Sequence, residues 1–178
     1  LTNPTTATHT LYFEDSVDGL PIRNHPIREF EDKKGLIEMW CKPYDDHPEW
    51  GRYIAGIDVV DKAKSTTDSL PCIIVMDRLT RQIVCEYTGR TDDPKFFYEM
   101  CKRILTYYNA SAMYEQNLVG LYNYFDQYKC LYLLADTPPQ LRNRDTFKEN
   151  SNTSKGIQNS GRVNPTGCDW INSWLLTP

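Results

Sequence analysis

Tyr53-Ile54-Ala55-Gly56-Ile57-Asp58 is an apolar run that delivers a carboxylate at its end, and Ala112-Met113-Tyr114-Glu115-Gln116-Asn117 does the same again. Each has the length of a buried strand followed by a polar turn. A strand is stiff enough to fix where its last side chain sits, and hard divalent cations such as Mg²⁺ and Mn²⁺ take oxygen ligands. Buried strands that end in acids are how a sheet builds a metal site. The pair therefore predicts metal-dependent chemistry, with a phosphodiester as the bond to be cut.

The segments around these two runs read as an α/β chain with a mixed central sheet flanked by helices. Leu36-Ile37-Glu38-Met39-Trp40 is a strand closed by Pro43 and the polar run Asp45-Asp46-His47-Pro48. A polar loop, Asp61 to Ser69, leads to Cys72-Ile73-Ile74-Val75-Met76. A short turn from Asp77 to Arg81 then gives Gln82 to Tyr87, the pattern of an antiparallel hairpin. Asp93-Pro94 opens an amphipathic helix, because Asp is a good N-cap, Pro is tolerated at the first helical position, and Phe97, Cys101, Ile104, Leu105 and Tyr108 recur at helical spacing as far as Asn109. A strand at Ser111 to Glu115, a helix at Val119 to Tyr128 and a strand at Leu131 to Ala135 follow, an alternation that predicts parallel crossovers.

Residues 1–35 carry only short apolar pieces, such as Leu11-Tyr12-Phe13, and read as an extended lead-in or a linker from a preceding domain. Residues 36–178 read as the domain itself. Within it, 136–164 is a polar excursion or hairpin, and Trp170, Ile171, Trp174 and Leu175 mark one face of a last helix.

The formal charge of −4 excludes a generally basic nucleic-acid coat, but leaves open a local stripe of Lys and Arg. No segment approaches the roughly 18 apolar residues of a membrane span. The six cysteines form no CxxC pair and several fall in apolar patterns, so buried, reduced thiols in a cytosolic compartment are expected. The three histidines lie in polar, Pro-rich surroundings and are expected at the surface. No GxxxxGK[ST] phosphate loop and no G-x-S-x-G elbow occur, which excludes a P-loop ATPase and argues against acyl transfer.

Antiparallel strands followed by a helix and parallel strands, with an acid at the end of the first central strand and another at the end of a later one, is the order of an RNase H-like fold. Joined in sequence, Tyr53 to Asp58, Asp68-Ser69 ahead of Ile73 to Asp77, Gly89-Arg90, Pro94, Phe97, Tyr108-Asn109-Ala110, Glu115-Gln116-Asn117 with Gly120, Lys155-Gly156-Ile157 and Asp169 to Leu175 resemble the nuclease domain of the large terminase subunit of tailed bacteriophages. The resemblance spans residues 36–176. It implies an endonuclease that uses two Mg²⁺ or Mn²⁺ ions to cut double-stranded DNA concatemers during genome packaging, with low sequence preference.

The resemblance also implies roles and partners. Asp58 would bridge the ions, Glu115 would be the second essential ligand, Asp68 an outer ligand, and Asn117 would hold the turn or meet the backbone phosphate. Lys62, Lys64, Arg90, Arg142 and Arg144, with Lys148, Lys155 and Arg162, are candidates for phosphate contact. The partners would be the terminase ATPase domain, the small terminase subunit and the portal, in the cytoplasm of the infected host. The family's third carboxylate lies in an Asp-rich motif after the last helix, and no match precedes Pro178. Either the sequence stops short of it, the reading favoured here, or Asp169, Asp136 or Asp145 stands in.

Each residue has a plainer alternative. Asp58 and Glu115 are also compatible with turn capping or ion pairing, Asp68 with ordinary loop chemistry and Asn117 with a helix cap. Each of the Lys and Arg residues is also compatible with a solvated surface charge. Tyr107, Tyr108, Tyr122, Tyr124 and Phe125 have the helical spacing of core residues rather than base-stacking platforms. Rival functions are another RNase H-like nuclease, of junction-resolvase or integrase type, and a non-catalytic module of the packaging motor.

Overall fold

The computed structural model describes residues 7–13, 27–59, 70–89, 91–116, 118–141, 154–158 and 163–176. Along these the chain runs through β1 (Ala7–Phe13), β2 (Ile27–Glu31), β3 (Ile37–Met39), β4 (Tyr53–Asp58), β5 (Cys72–Asp77), β6 (Gln82–Thr88), α1 (Pro94–Tyr108), β7 (Ser111–Tyr114), α2 (Gly120–Gln127) and α3 (Val163–Leu176). The strands form one mixed sheet in the order β2-β1-β3-β6-β5-β4-β7. Strands β4 and β7 are parallel, and the other pairings are antiparallel.

Side chains alternate along each strand, so the sheet has two chemically different faces. Tyr53, Ala55 and Ile57 of β4, Ile73 and Val75 of β5, Tyr87 of β6 and Ala112 and Tyr114 of β7 are buried. Helix α1 covers that face: Tyr108 meets Tyr53 edge-on at 5.2 Å between ring centroids, and Phe97 meets Tyr87 at 5.6 Å. Phe97, Ile104 and Leu105 are at most 1% exposed, and burial of each stabilises the fold by about 1.5–3 kcal/mol. Helix α2 adds Leu121 and Phe125 to the same core.

Local chemistry sets the ends of α1. The Asp93 carboxylate accepts a hydrogen bond from the Lys95 N–H at 2.9 Å, Pro94 takes the first helical position, and Asn109 ends the helix in the left-handed region at φ 47°. The chain then turns directly into β7. At the other end of the sheet Asp77, 4% exposed, closes the β5–β6 turn. It accepts hydrogen bonds from Arg52 Nη2 at 2.9 Å and from the Leu79 N–H at 2.8 Å. Burial works to raise its pKa, but the hydrogen bonds from Arg52, Leu79 and Thr80 outweigh it and hold the carboxyl below its ordinary value.

Several expectations change. The stretch 1–35, read as a lead-in, contributes β1 and β2 to the sheet: His9 pairs with Ile37 of β3 and with Glu31 of β2, and Leu11 is fully buried. His9 is therefore buried rather than on the surface, because its strand lies inside the sheet order. Leu131–Leu133 is a 3₁₀ turn, not a strand; Leu134 reaches β7 through a parallel bridge to Ala112, and the Ala135 N–H donates to the Ala112 carbonyl at 2.7 Å. Of the free cysteines, Cys85, Cys101 and Cys130 are buried, Cys72 is intermediate, and Cys41 and Cys168 are exposed. No helix among the described residues is long and apolar enough to cross a membrane.

Candidate active site

Asp58 and Glu115 arrive side by side because their strands are parallel neighbours. The register pairs Ile54 with Ser111, Gly56 with Met113 and Ile57 with Tyr114. The next residue of each strand is the acid. Neighbouring strands lie about 4.8 Å apart, so the two side chains leave adjacent backbones at the same end of the sheet. By alternation both point away from the face that α1 covers. Both line one cleft of about 430 Å³, together with Gly56, Cys72, Ile74, Met113 and Ile157, and with Val163 and Asn164 from the start of α3.

Glu115 is fixed from its other side as well. The Ile157 N–H donates to the Tyr114 carbonyl at 2.9 Å, and the Gln116 N–H donates to the Ile157 carbonyl at 2.9 Å, so the peptides on both flanks of Glu115 are held by one residue. Gly156 makes this approach possible. Its φ is +78°, and a Cβ there would stand 2.7 Å from Tyr114 Cε1 and 2.8 Å from the Tyr114 carbonyl oxygen. The segment is tied down further by the Thr137 hydroxyl, which donates to the Gly156 carbonyl at 2.6 Å, and by an ion pair between Lys155 and Asp136 at 2.9 Å.

Further acids share this face with Asp58 and Glu115. Cross-strand pairing puts Glu38 opposite Glu86, and Glu86 opposite Ile74, on the side that carries Gly56 and Asp58. Asp58 is opposite Cys72. Burial first, and then the negative charge of Asp58, push the Cys72 thiol above its ordinary pKa, which makes it a poor nucleophile and a poor metal ligand at neutral pH.

Two carboxylates converging on a cleft form the donor set that a hard divalent cation takes, with water and phosphate oxygens completing its shell. Among the described residues no group of three or more His, Cys, Asp and Glu side chains is placed to hold a metal ion. Asp68, Asn117, Lys62, Lys64, Arg90, Arg142 and Arg144 lie outside the described residues, as do Asp145, Lys148 and Arg162. Of the two other candidate acids, Asp136 is committed to Lys155, and neither it nor Asp169 of α3 is among the residues lining the cleft. Lys155 is correspondingly an ion-pair partner. Sequence reasoning did not find Cys72, Ile157, Val163 or Asn164. The hairpin read from Cys72 pairs it with the strand from Gln82 and carried no pairing with Asp58, and nothing local marks the other three as neighbours of the acids.

The fold class these observations define is α/β of the RNase H-like kind. Its central part runs β6-β5-β4-β7 with the Leu134 bridge beyond, three antiparallel strands followed by parallel additions, and the acids end the two parallel strands at its middle. No protein-family model and no curated protein matches the chain. Among solved structures, the large terminase nuclease from thermophilic phage G20c is similar over 54% of this chain and 48% of that one, with 15% identity and a TM-score of 0.42. The match thus spans about half the length of that protein.

Proposed function

We propose that the Asp58–Glu115 cleft is the active site of a metal-dependent endonuclease that cuts double-stranded DNA with low sequence preference. The observation that carries the reading is the register of β4 on β7, which sets two strand-end carboxylates beside each other in one cleft. The donor set fits Mg²⁺ or Mn²⁺, with Asp58 and Glu115 as the residues that would hold the two ions and Asp68 as an outer ligand. When bound, such ions supply charge neutralisation at a phosphate and a water acidic enough to attack it near neutral pH.

The chain's own residues do the positioning. Asp58 presents its oxygens from a strand hydrogen-bonded on both sides, and Glu115 is braced between β4 and Ile157, so the backbones that carry the two carboxylates are fixed before a phosphate arrives. The side chains of Ile74, Met113 and Ile157 replace part of the surrounding water and raise the strength of charge interactions inside the cleft. Phosphate affinity is assigned to Lys62, Lys64, Arg90, Arg142 and Arg144, and Asn117 to the turn or a backbone phosphate; contacts of that kind give affinity without base selection.

The cellular role we infer is the cutting of DNA concatemers during phage genome packaging, in the cytoplasm of an infected host, beside the terminase ATPase domain, the small terminase subunit and the portal. It is supported by the ordered motif resemblance from the Tyr53 to Asp58 strand through Lys155-Gly156-Ile157. A plasmid-nicking assay with Mn²⁺, Mg²⁺ or chelator tests the activity. Nicking that needs the metal and disappears in Asp58→Ala and in Glu115→Ala is expected; full retention in either variant refutes the role given to that residue.

A further inference from the structure

We propose that Gly56 is a substrate-positioning residue: the bare floor over which the sugar-phosphate backbone next to the scissile phosphate lies. The inference rests on the nuclease reading above. Gly56 is in the interior of β4, where glycine is less favourable than alanine because the unfolded chain has more freedom to lose. Nothing among the described residues explains that loss. Its backbone lies outside the left-handed region, and a Cβ built on it meets no atom of the described residues within 4 Å. Contrast Gly156, where both the dihedral angle and the Tyr114 contact demand glycine.

The space a side chain would fill is the cleft itself. Gly56 lines it two residues before Asp58, on the same face and about 6.7 Å along the strand. Its cross-strand partners, Ile74 on one side and Met113 on the other, also line the cleft, so the glycine forms a groove between two apolar ridges that ends at the two acids. Apolar ridges flanking exposed backbone fit the face of a deoxyribose, while the acids ahead fit a cation-bound phosphate. A methyl group on Gly56 would collide with the ligand rather than with any described residue.

The test uses the whole 178-residue chain carrying Gly56→Ala or Gly56→Val, with Asp58→Ala and Glu115→Ala alongside. Melting temperature is read without DNA, and kcat and KM for Mn²⁺-dependent plasmid nicking are read separately. The expected result is a melting temperature equal to or above that of the parent in both Gly56 variants. KM is expected to rise by about threefold with Ala and tenfold or more with Val, as for a lost binding contact. A parent-like KM in a stable Gly56→Val variant, with nicking still abolished in Asp58→Ala, overturns the inference and leaves the nuclease reading standing. A clearly lowered melting temperature in Gly56→Ala also overturns it, since the glycine would then serve the fold. Persistent nicking in Asp58→Ala and Glu115→Ala removes the nuclease reading, and this inference with it.

Discussion

Replacing Gly156 by alanine should loosen the brace on Glu115 and destabilise the fold together. An L side chain at φ +78° costs about 1–2 kcal/mol. The new Cβ would also stand 2.8 Å from the Tyr114 carbonyl oxygen, which already accepts the Ile157 N–H at 2.9 Å. The Tyr114 ring cannot swing clear, because it is 2% exposed and packed in the core. Relief therefore means moving the 155–157 segment outward and weakening one or both of its bonds to β7, each worth about 0.5–1.5 kcal/mol net. The sum is about 2–4 kcal/mol, which for a chain of this size lowers the melting temperature by about 4–16 °C. Thermal melting followed by circular dichroism measures it, and nicking assayed well below the transition should fall as Glu115 loses its outer support. A melting temperature within about 1 °C of the parent would falsify the claim that this close approach fixes the edge of β7.

Two further outcomes are expected. Asp77→Asn should lower the melting temperature at pH 7 by about 2–6 °C, because the hydrogen bonds from Arg52, Leu79 and Thr80 stabilise the ionised carboxyl. Its folded pKa lies below the ordinary 3.8, so its contribution is complete above that value and is lost as the pH falls through the lower folded one. The gap between parent and variant should accordingly narrow in melts run from pH 5 down to about 2, and a gap independent of pH contradicts the assignment. For the thiols, iodoacetamide with mass-spectrometric readout should label Cys41 and Cys168 first, Cys72 slowly, and Cys85, Cys101 and Cys130 only on unfolding. Asp58→Ala should speed the labelling of Cys72, and an unchanged rate would mean that the carboxylate does not act on this thiol.

What could be read from the sequence was what local chemistry enforces. Tyr53 to Asp58, the hairpin from Cys72 and the helix from Pro94 to Tyr108 carry their own boundaries in Asp93, Pro94 and the left-handed Asn109. The alternation of helix and strand pointed to parallel crossovers, but that β7 lands beside β4, and so Asp58 beside Glu115, came from the family resemblance and not from a local pattern, since α1 joins β7 to β6. Strands β1 and β2 were not legible because their neighbours are remote: β1 is held between β2 and β3, and its fully buried Leu11 sits in a short apolar piece that alone resembles a loop. Leu131 to Leu134 shows the limit of an apolar run, which has the same composition whether it packs as a 3₁₀ turn or as a strand. The outer wall of the cleft was hidden for a related reason. Ile157, Val163 and Asn164 reach it from beyond a polar stretch whose spacing says nothing about where it returns.

The central claim is that Asp58 and Glu115 hold a divalent cation between them. The most direct measurement is anomalous diffraction from a crystal of the protein soaked in Mn²⁺, collected on the parent and on Glu115→Ala. The account predicts a manganese peak within coordination distance of both carboxylates in the parent and its loss from that position in the variant. A parent crystal whose manganese lies away from the cleft, while the same protein nicks DNA in a Mn²⁺-dependent way, would contradict it.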